Sequence, residues 1–466
     1  MSQRVAPDGL FVTSTIVDHG TLLFALVQHS SLSGRNTFQQ TVSAMAEWIV
    51  DARENATRAT STSSPVHGLV RMVPCKCLLT ASVFAARTAQ FAVVAAVNDH
   101  PEPAVSFLSD ASLIQGLRSA AEYFSLLRNS SAAARLSAIA DGYANDLRAA
   151  MQSALFAPPN STSGEMLLPL LPETRELLET YSVVRAEPQT FRANGYYSII
   201  ACNLLETGML LPTLATTIVD TLEQRDGLWR SMCRFDEGPH VGIGKCDKRL
   251  ERPFERLRHS ATLSADHAYT LGYWLHELQA GNATQVLEGF YGALACGNSK
   301  TFSGAEVTEP LTGDNYLTLP HLYSSTQMLR LLRAMLVFQP PFVDGASSSV
   351  AHIARGTPRA WLADGQRISV ADATLAGGGL LDFAMESHIS RGLVLATIHL
   401  RPRDGPPAHT PVPAQELVLH VRCPVPEIAN VSVNAALWSN FTREGEIFLG
   451  SRMAPSDLQV EVHFVQ

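Results

Sequence analysis

The chain has 466 residues and a net charge of −8, with 46% hydrophobic and 17% charged residues. Such a composition supplies cores and excludes a disordered chain, and the length is that of more than one domain. Lys and Arg are scattered, without the basic stripe that phosphate binding requires, which argues against nucleic acid as a partner.

The opening MSQRVAPDGL lacks the apolar stretch of a signal peptide. Asn-x-Ser/Thr sequons at Asn55, Asn129, Asn160, Asn282, Asn430 and Asn440 nonetheless favour passage through a secretory lumen. The two observations together predict that the true beginning is missing. Thr37–Asn55 places Val42, Ala46, Trp48, Ile49 and Ala52 near helical spacing and ends in a polar loop, Thr57–Pro65. Cys77–Val97 approaches the ~20 residues of a membrane span. It carries Arg87 and Gln90, and a charge at mid-membrane costs ~2.5–3.5 kcal/mol, so it reads as a buried helix and no membrane span is expected.

Further helices are predicted at Ala111–Leu127, Ala132–Leu155, Thr174–Val183, Tyr196–Leu205, Pro212–Arg225, Ser264–Ala280, Ala283–Ala295 and Ser324–Phe338. Pro340, Pro341 and Gly345–Ser349 break the pattern, and beyond Gly356 the texture becomes alternating. Leu393–Leu400, Glu416–Val421, Asn430–Val433 and Leu458–Phe464 fit strands with one buried face. The predicted class is mainly α: a helical domain over 1–340, a linker over 341–355 and an antiparallel β-sandwich over 356–466.

The segments Thr301–Tyr323 (TFSGAEVTEPLTGDNYLTLPHLY), the helix from Ser324, Ala354–Leu362 (ARGTPRAWL) and the strands ending in VSVNAALW together resemble six-hairpin glycosidases over roughly residues 190–440. The resemblance is one of texture and order rather than of a diagnostic motif. It implies an (α/α)6 toroid of paired helices with a β-sandwich tail and an active site at one mouth of the toroid. A toroid calls for more helices than the sequence displays, so the opening GLFVTSTIVDHG reads as a loop and the remnant of a first hairpin.

Glycoside hydrolysis needs two carboxyl groups flanking the bond. Arg234–Gly244 (RFDEGPHVGIG) holds Asp236, Glu237 and His240 in a glycine-rich stretch that is either a ligand-facing loop or a solvated turn. In Ser264–Trp274 (SADHAYTLGYW), Ser264 fits a helix cap followed by Asp266 and His267, and an acid there also suits the helix dipole. Tyr269, Tyr273 and Trp274 supply either a sugar-stacking face or core. Thr301–His321 places Glu306, Glu309, Asp314 and His321 in a long polar stretch between two helices, a length seldom found without a purpose. Phe191–Tyr197 (FRANGYY) offers Arg192, Asn194 and Tyr196 to sugar hydroxyls or a uronate carboxylate, although Asn194 also fits a helix cap.

The predicted catalytic pair is Glu306 with Asp236 or Asp266, and the predicted substrate-binding set is Arg192, Asn194, Tyr196, Asp314, His321 and Trp274. Three functions stand open: glycoside hydrolase, polysaccharide lyase with a Tyr or His base, and a non-catalytic binder of glycans or protein. No cofactor motif occurs, and the seven cysteines show no C-x-x-C spacing that would suggest zinc. Asp-containing loops leave calcium open as a ligand, although no segment has the spacing of a recognised calcium site. Cys233 and Cys246 are spaced for a local disulfide or remain two buried thiols.

Overall fold

The computed structural model describes residues 17–33, 35–70, 105–159, 164–172, 177, 193, 196–235, 264–299, 301, 303–309, 313–316, 319–340, 349–376, 379–402, 414–424 and 427–465. They fall into two compact units, one formed by Met1–Tyr273 with Cys296–Ser324 and the other by Trp274–Ala295 with Ser325–Gln466.

The first unit opens with α1 (Val17–Ser33), α2 (Gln39–Ala59), α3 (Phe107–Leu126), α4 (Ser130–Ala154), α5 (Tyr196–Glu206) and α6 (Pro212–Gln224). α2 is amphipathic: Val42, Met45, Ala46, Ile49 and Val50 recur at the three- and four-residue spacing of one face, and all are buried. α3 is buried on nearly every side and packs against α1 and α4. Its crossing with α1 is closed by two glycines. A side chain at Gly20 would meet Leu113 N at 2.7 Å, and one at Gly116 would meet Gly20 O at 3.0 Å. Asn129 caps α4 by accepting from Ala132 N at 3.2 Å, and Pro212 stands in the first turn of α6, where a missing N–H costs nothing.

A five-stranded antiparallel sheet follows in the same unit, in chain order: β1 (Leu228–Trp229), β2 (Met232–Arg234), β3 (Ala265–Asp266), β4 (Val307–Glu309) and β5 (Asp314–Tyr316). Arg230 and Ser231 join β1 to β2 with φ of 45° and 57°, the left-handed pair that matches strand twist in a two-residue hairpin. A 3₁₀ turn, His267–Tyr269, leads from β3 towards α7 (Leu271–Ala280), and α8 (Ala283–Cys296) and α9 (Leu322–Leu336) complete the helices.

The second unit holds most of α7, α8 and α9 together with a two-sheet sandwich. β6 (Val337–Phe338), β7 (Val350–Ile353), β11 (Gln415–His420) and β14 (Glu446–Arg452) form a sheet ordered β14-β11-β7-β6, in which β7 and β11 run parallel. The other sheet is ordered β13-β12-β15-β10-β9-β8, from β8 (Arg367–Thr374), β9 (Gly379–His388), β10 (Leu393–Pro402), β12 (Ile428–Val433), β13 (Ala436–Trp438) and β15 (Ser456–Phe464). Alternate residues of the long strands, Leu381, Phe383 and Met385 on β9 and Val394, Ala396 and Ile398 on β10, share one core with Leu417, Leu419, Ile447 and Leu449 of the opposite sheet. In this unit Gly289 lets α8 approach Trp274, since a Cβ there would lie 2.5 Å from the indole Cε2.

The mainly α architecture with an (α/α)6 toroid is therefore corrected. Nine helices among the described residues accompany three sheets, and the five-stranded sheet occupies residues whose sequence reads as loop and helix. Its strands hold two or three residues each, too few for an alternation to register against the helical pattern around them. Val17–Ser33 is a helix where a loop remnant was expected, and Thr301–His321 contains the β4–β5 hairpin rather than one continuous loop. Val350–Ile353, inside the segment read as a linker, is a strand of the sandwich. No helix among the described residues is long and apolar enough to cross a membrane. Cys77–Val97 and most of Thr174–Val183 lie outside the described residues.

Candidate functional site

The titratable side chains of the first unit converge where β3 gives way to its 3₁₀ turn and β4 begins. Ala265 pairs with Arg234 on one side and with Thr308 on the other, so the short β3 is held between β2 and β4. Asp266 ends the strand opposite Cys233. Its Oδ1 accepts from Ala268 N at 3.1 Å, capping the 3₁₀ turn. Its carbonyl accepts from Thr270 Oγ1 at 2.9 Å, and the same hydroxyl oxygen accepts from Cys233 N at 2.9 Å. The segment from Asp266 to Thr270 is thus tied back onto β2 by its own side chains.

Only 1% of Asp266 is exposed. Burial pushes its carboxyl well above the usual carboxylate range, and the neighbouring Cys233 and Glu306 push in the same direction, outweighing the donors Ala268 N and Tyr269 N. Glu306, in the bend just before β4, is half-buried and electrostatically close enough to act on both Asp266 and His321.

His321 is held by its backbone N donating to Gly304 O at 2.7 Å and by its ring. Nδ1 lies 2.6 Å from Ser324 Oγ, and Ser324 Oγ donates to Ala305 O, also at 2.6 Å. A hydroxyl has one proton to give, so Nδ1 must be the donor in the first bond and the lone pair sits on Nε2. Burial lowers the His321 pKa and Glu306 opposes that shift. His267 is pushed down to about 4, by burial first and by His321 second. Three rings border these groups: Tyr269 and Tyr323 have centroids 5.0 Å apart, and His321 lies 6.3 Å from Tyr269 and 6.0 Å from Tyr323. The result is a buried carboxyl that burial disfavours in its charged form, a half-buried Glu306, an imidazole with a defined lone pair and an aromatic border.

Of the residues singled out in the sequence, Glu306, Asp266 and His321 meet here. Asp236, Arg192 and Asn194 lie outside the described residues. Tyr196 begins α5 and Asp314 begins β5, where it pairs with Glu309. Trp274 is fully buried against Gly289 in the second unit. Tyr273 is 1% exposed and donates its hydroxyl to Glu223 at 2.9 Å, which makes it a core residue rather than a stacking face. Tyr323 and Ser324 join the site without being site candidates in the sequence, and Cys233 joins it having been only a disulfide candidate with Cys246. The first two stand two and three residues beyond His321, and that spacing was the available signal. Cys233 had none, because its place beside Asp266 follows from strand pairing.

Among the described residues no group of three or more His, Cys, Asp or Glu side chains is arranged to hold a metal ion. No protein-family model matches the chain, and no curated protein sequence matches it significantly.

Proposed function

We propose that the chain is a glycoside hydrolase acting on an oligosaccharide or glycan, with Glu306 as its proton-transferring carboxylate and Asp266 as the buried acid that tunes it. The observation that carries this reading is Glu306, half-buried in the bend before β4 and close enough to act on His321, whose ring borders the Tyr269–Tyr323 pair, since hydrolysis needs a proton-transferring carboxyl and sugars stack on aromatic faces. Asp266 is too buried to touch a substrate. Its place is to bear electrostatically on Glu306 and to fix the turn that carries Tyr269. Glu306→Gln preserves shape and removes the transferable proton, so hydrolysis of a panel of glycosides and glycans should fall by about 10²–10⁴-fold with the circular dichroism unchanged. Hydrolysis at the parent rate would remove Glu306 from the mechanism.

A second reading rests on His321. A neutral imidazole with its lone pair on Nε2, next to two phenols, is the base that a polysaccharide lyase needs to take a proton alpha to a uronate. Products absorbing in the ultraviolet, formed without consumption of water and lost in His321→Ala, would favour the lyase. Glycan affinity without any product would leave a binding protein.

A further inference from the structure

We infer that Cys202 and Cys233 form a structural disulfide joining α5 to β2 in the mature protein, and that this pairing, rather than Cys233 with Cys246, is the native one. The two sulfurs already touch: Cys202 Sγ and Cys233 Sγ are 3.2 Å apart, both residues are fully buried, and 31 positions separate them in sequence. A disulfide bond is about 2.05 Å long, so roughly 1 Å of side-chain movement closes it. The thiol of Cys233 has only weak alternatives, pointing at the carbonyls of Ser198 at 3.5 Å and Tyr269 at 3.8 Å. A metal is a poor explanation for two thiols side by side, since no third ligand joins them among the described residues. Catalytic thiols sit exposed in electropositive surroundings, whereas burial drives the Cys202 thiol well above its ordinary pKa and leaves it unreactive in the folded state.

The chemistry is a thiol–disulfide exchange. A disulfide of low molecular weight such as glutathione disulfide, or that of a protein oxidase, is attacked by one cysteine thiolate and releases one thiol. The second cysteine thiolate then attacks the mixed disulfide and releases the other. Two protons and two electrons leave the protein pair, and the oxidant is reduced to two thiols. Since neither sulfur is accessible after folding, the exchange precedes the packing of α5 against the sheet. Passage through an oxidising lumen, which the six sequons favour, would supply such an oxidant.

The bond would fasten α5 to the strand opposite Asp266, independently of any glycosidase activity. The test uses the full chain directed through the secretory pathway of a eukaryotic host, denatured in N-ethylmaleimide at low pH and digested without reduction. A peptide pair linked through Cys202 and Cys233 is expected, absent after reduction and retained in Cys246→Ser. Reduction should also lower the melting temperature by roughly 5 °C or more, as for a bridge closing a loop of this length. Alkylation of both Cys202 and Cys233 in the secreted protein, or recovery of Cys233 linked to Cys246, would overturn the inference.

Discussion

Gly272 is where a single methyl group should do most damage to the first unit. It lies at the start of α7 against the backbone of α5, and a Cβ there would sit 2.7 Å from Glu206 N and 2.8 Å from the Cys202 carbonyl carbon. The Cys202 carbonyl oxygen lies closer still, and all these obstacles are backbone, so no side chain can rotate away and the two helices must part by roughly an ångström or more. Overpacking of this kind costs about 1–3 kcal/mol or more. Alanine recovers up to ~1 kcal/mol of helix propensity, which leaves Gly272→Ala about 2 kcal/mol less stable. At about 2–4 °C per kcal/mol the melting temperature should fall by roughly 4–8 °C. Gly142→Ala within α4 is the control of opposite sign, because its Cβ would meet only Arg53 Nη2 at 3.7 Å and the propensity gain stands alone. Thermal unfolding followed by circular dichroism reads both. A Gly272→Ala protein melting at or above the parent temperature would refute the close approach of α5 and α7, and with it the placement of Cys202 and the turn that carries Tyr269.

Asp110, fully buried in the first turn of α3, has its carboxyl raised to about 7 by burial, against the opposing pull of donors Tyr143 and Val70 N. A folded pKa above the unfolded one means stability is complete below about pH 4 and is lost as pH rises to 7, by about 4 kcal/mol, so Asp110→Asn should raise the melting temperature more at pH 8 than at pH 5. His267, lowered to about 4, has the opposite consequence: stability is complete above about pH 6.5 and falls by up to about 3 kcal/mol as pH drops to 4. His267→Gln should flatten that acid limb in melts across pH 4–8, and an unchanged slope would mean that the ring is charged when folded. Glycans are expected on the exposed Asn129 and Asn440 after secretion, read as a mobility shift on treatment with a glycan-removing amidase. No shift would remove the secretory reading.

The sandwich was legible because its strands are long enough to alternate: Leu393–Leu400 and Leu458–Phe464 were found within a residue or two of β10 and β15. Ala132–Leu155 and Pro212–Arg225 likewise became α4 and α6, each carrying the capping residue or proline that starts it. The small sheet was hidden for the converse reason. β3 is Ala265–Asp266, two residues embedded in what reads as the capped start of a helix, and only pairing with residues 31 or more positions away in sequence makes it a strand. For the site, Glu306, Asp266 and His321 were found by residue type and loop composition. Their grouping was not, because adjacency of β3 and β4 is a tertiary fact.

A raised carboxyl pKa does not by itself mark a functional group, and the first unit contains the comparison that shows why. Asp110 and Asp266 are both buried, and burial pushes both carboxyls up. Asp110 faces Tyr143, Val70 N and the Arg53 guanidinium, donors and a cation that fasten α3 to α4 and to the residues before it. Each of those neighbours lowers the cost of burying the acid, as a structural role requires. Asp266 is surrounded differently. Among the described residues its carboxyl has only the neighbouring backbone donors Ala268 N and Tyr269 N, while Glu306 beside it penalises its charge. A fold that merely needed a cap for the 3₁₀ turn would have that cap from Asn at lower electrostatic cost. Asp266→Asn separates the two roles, since it keeps the acceptor for Ala268 N and removes the proton. If the acid serves only the turn, the variant should match or exceed the parent in both melting temperature and turnover. If the proton tunes Glu306, the melting temperature should hold while the pH profile of turnover shifts.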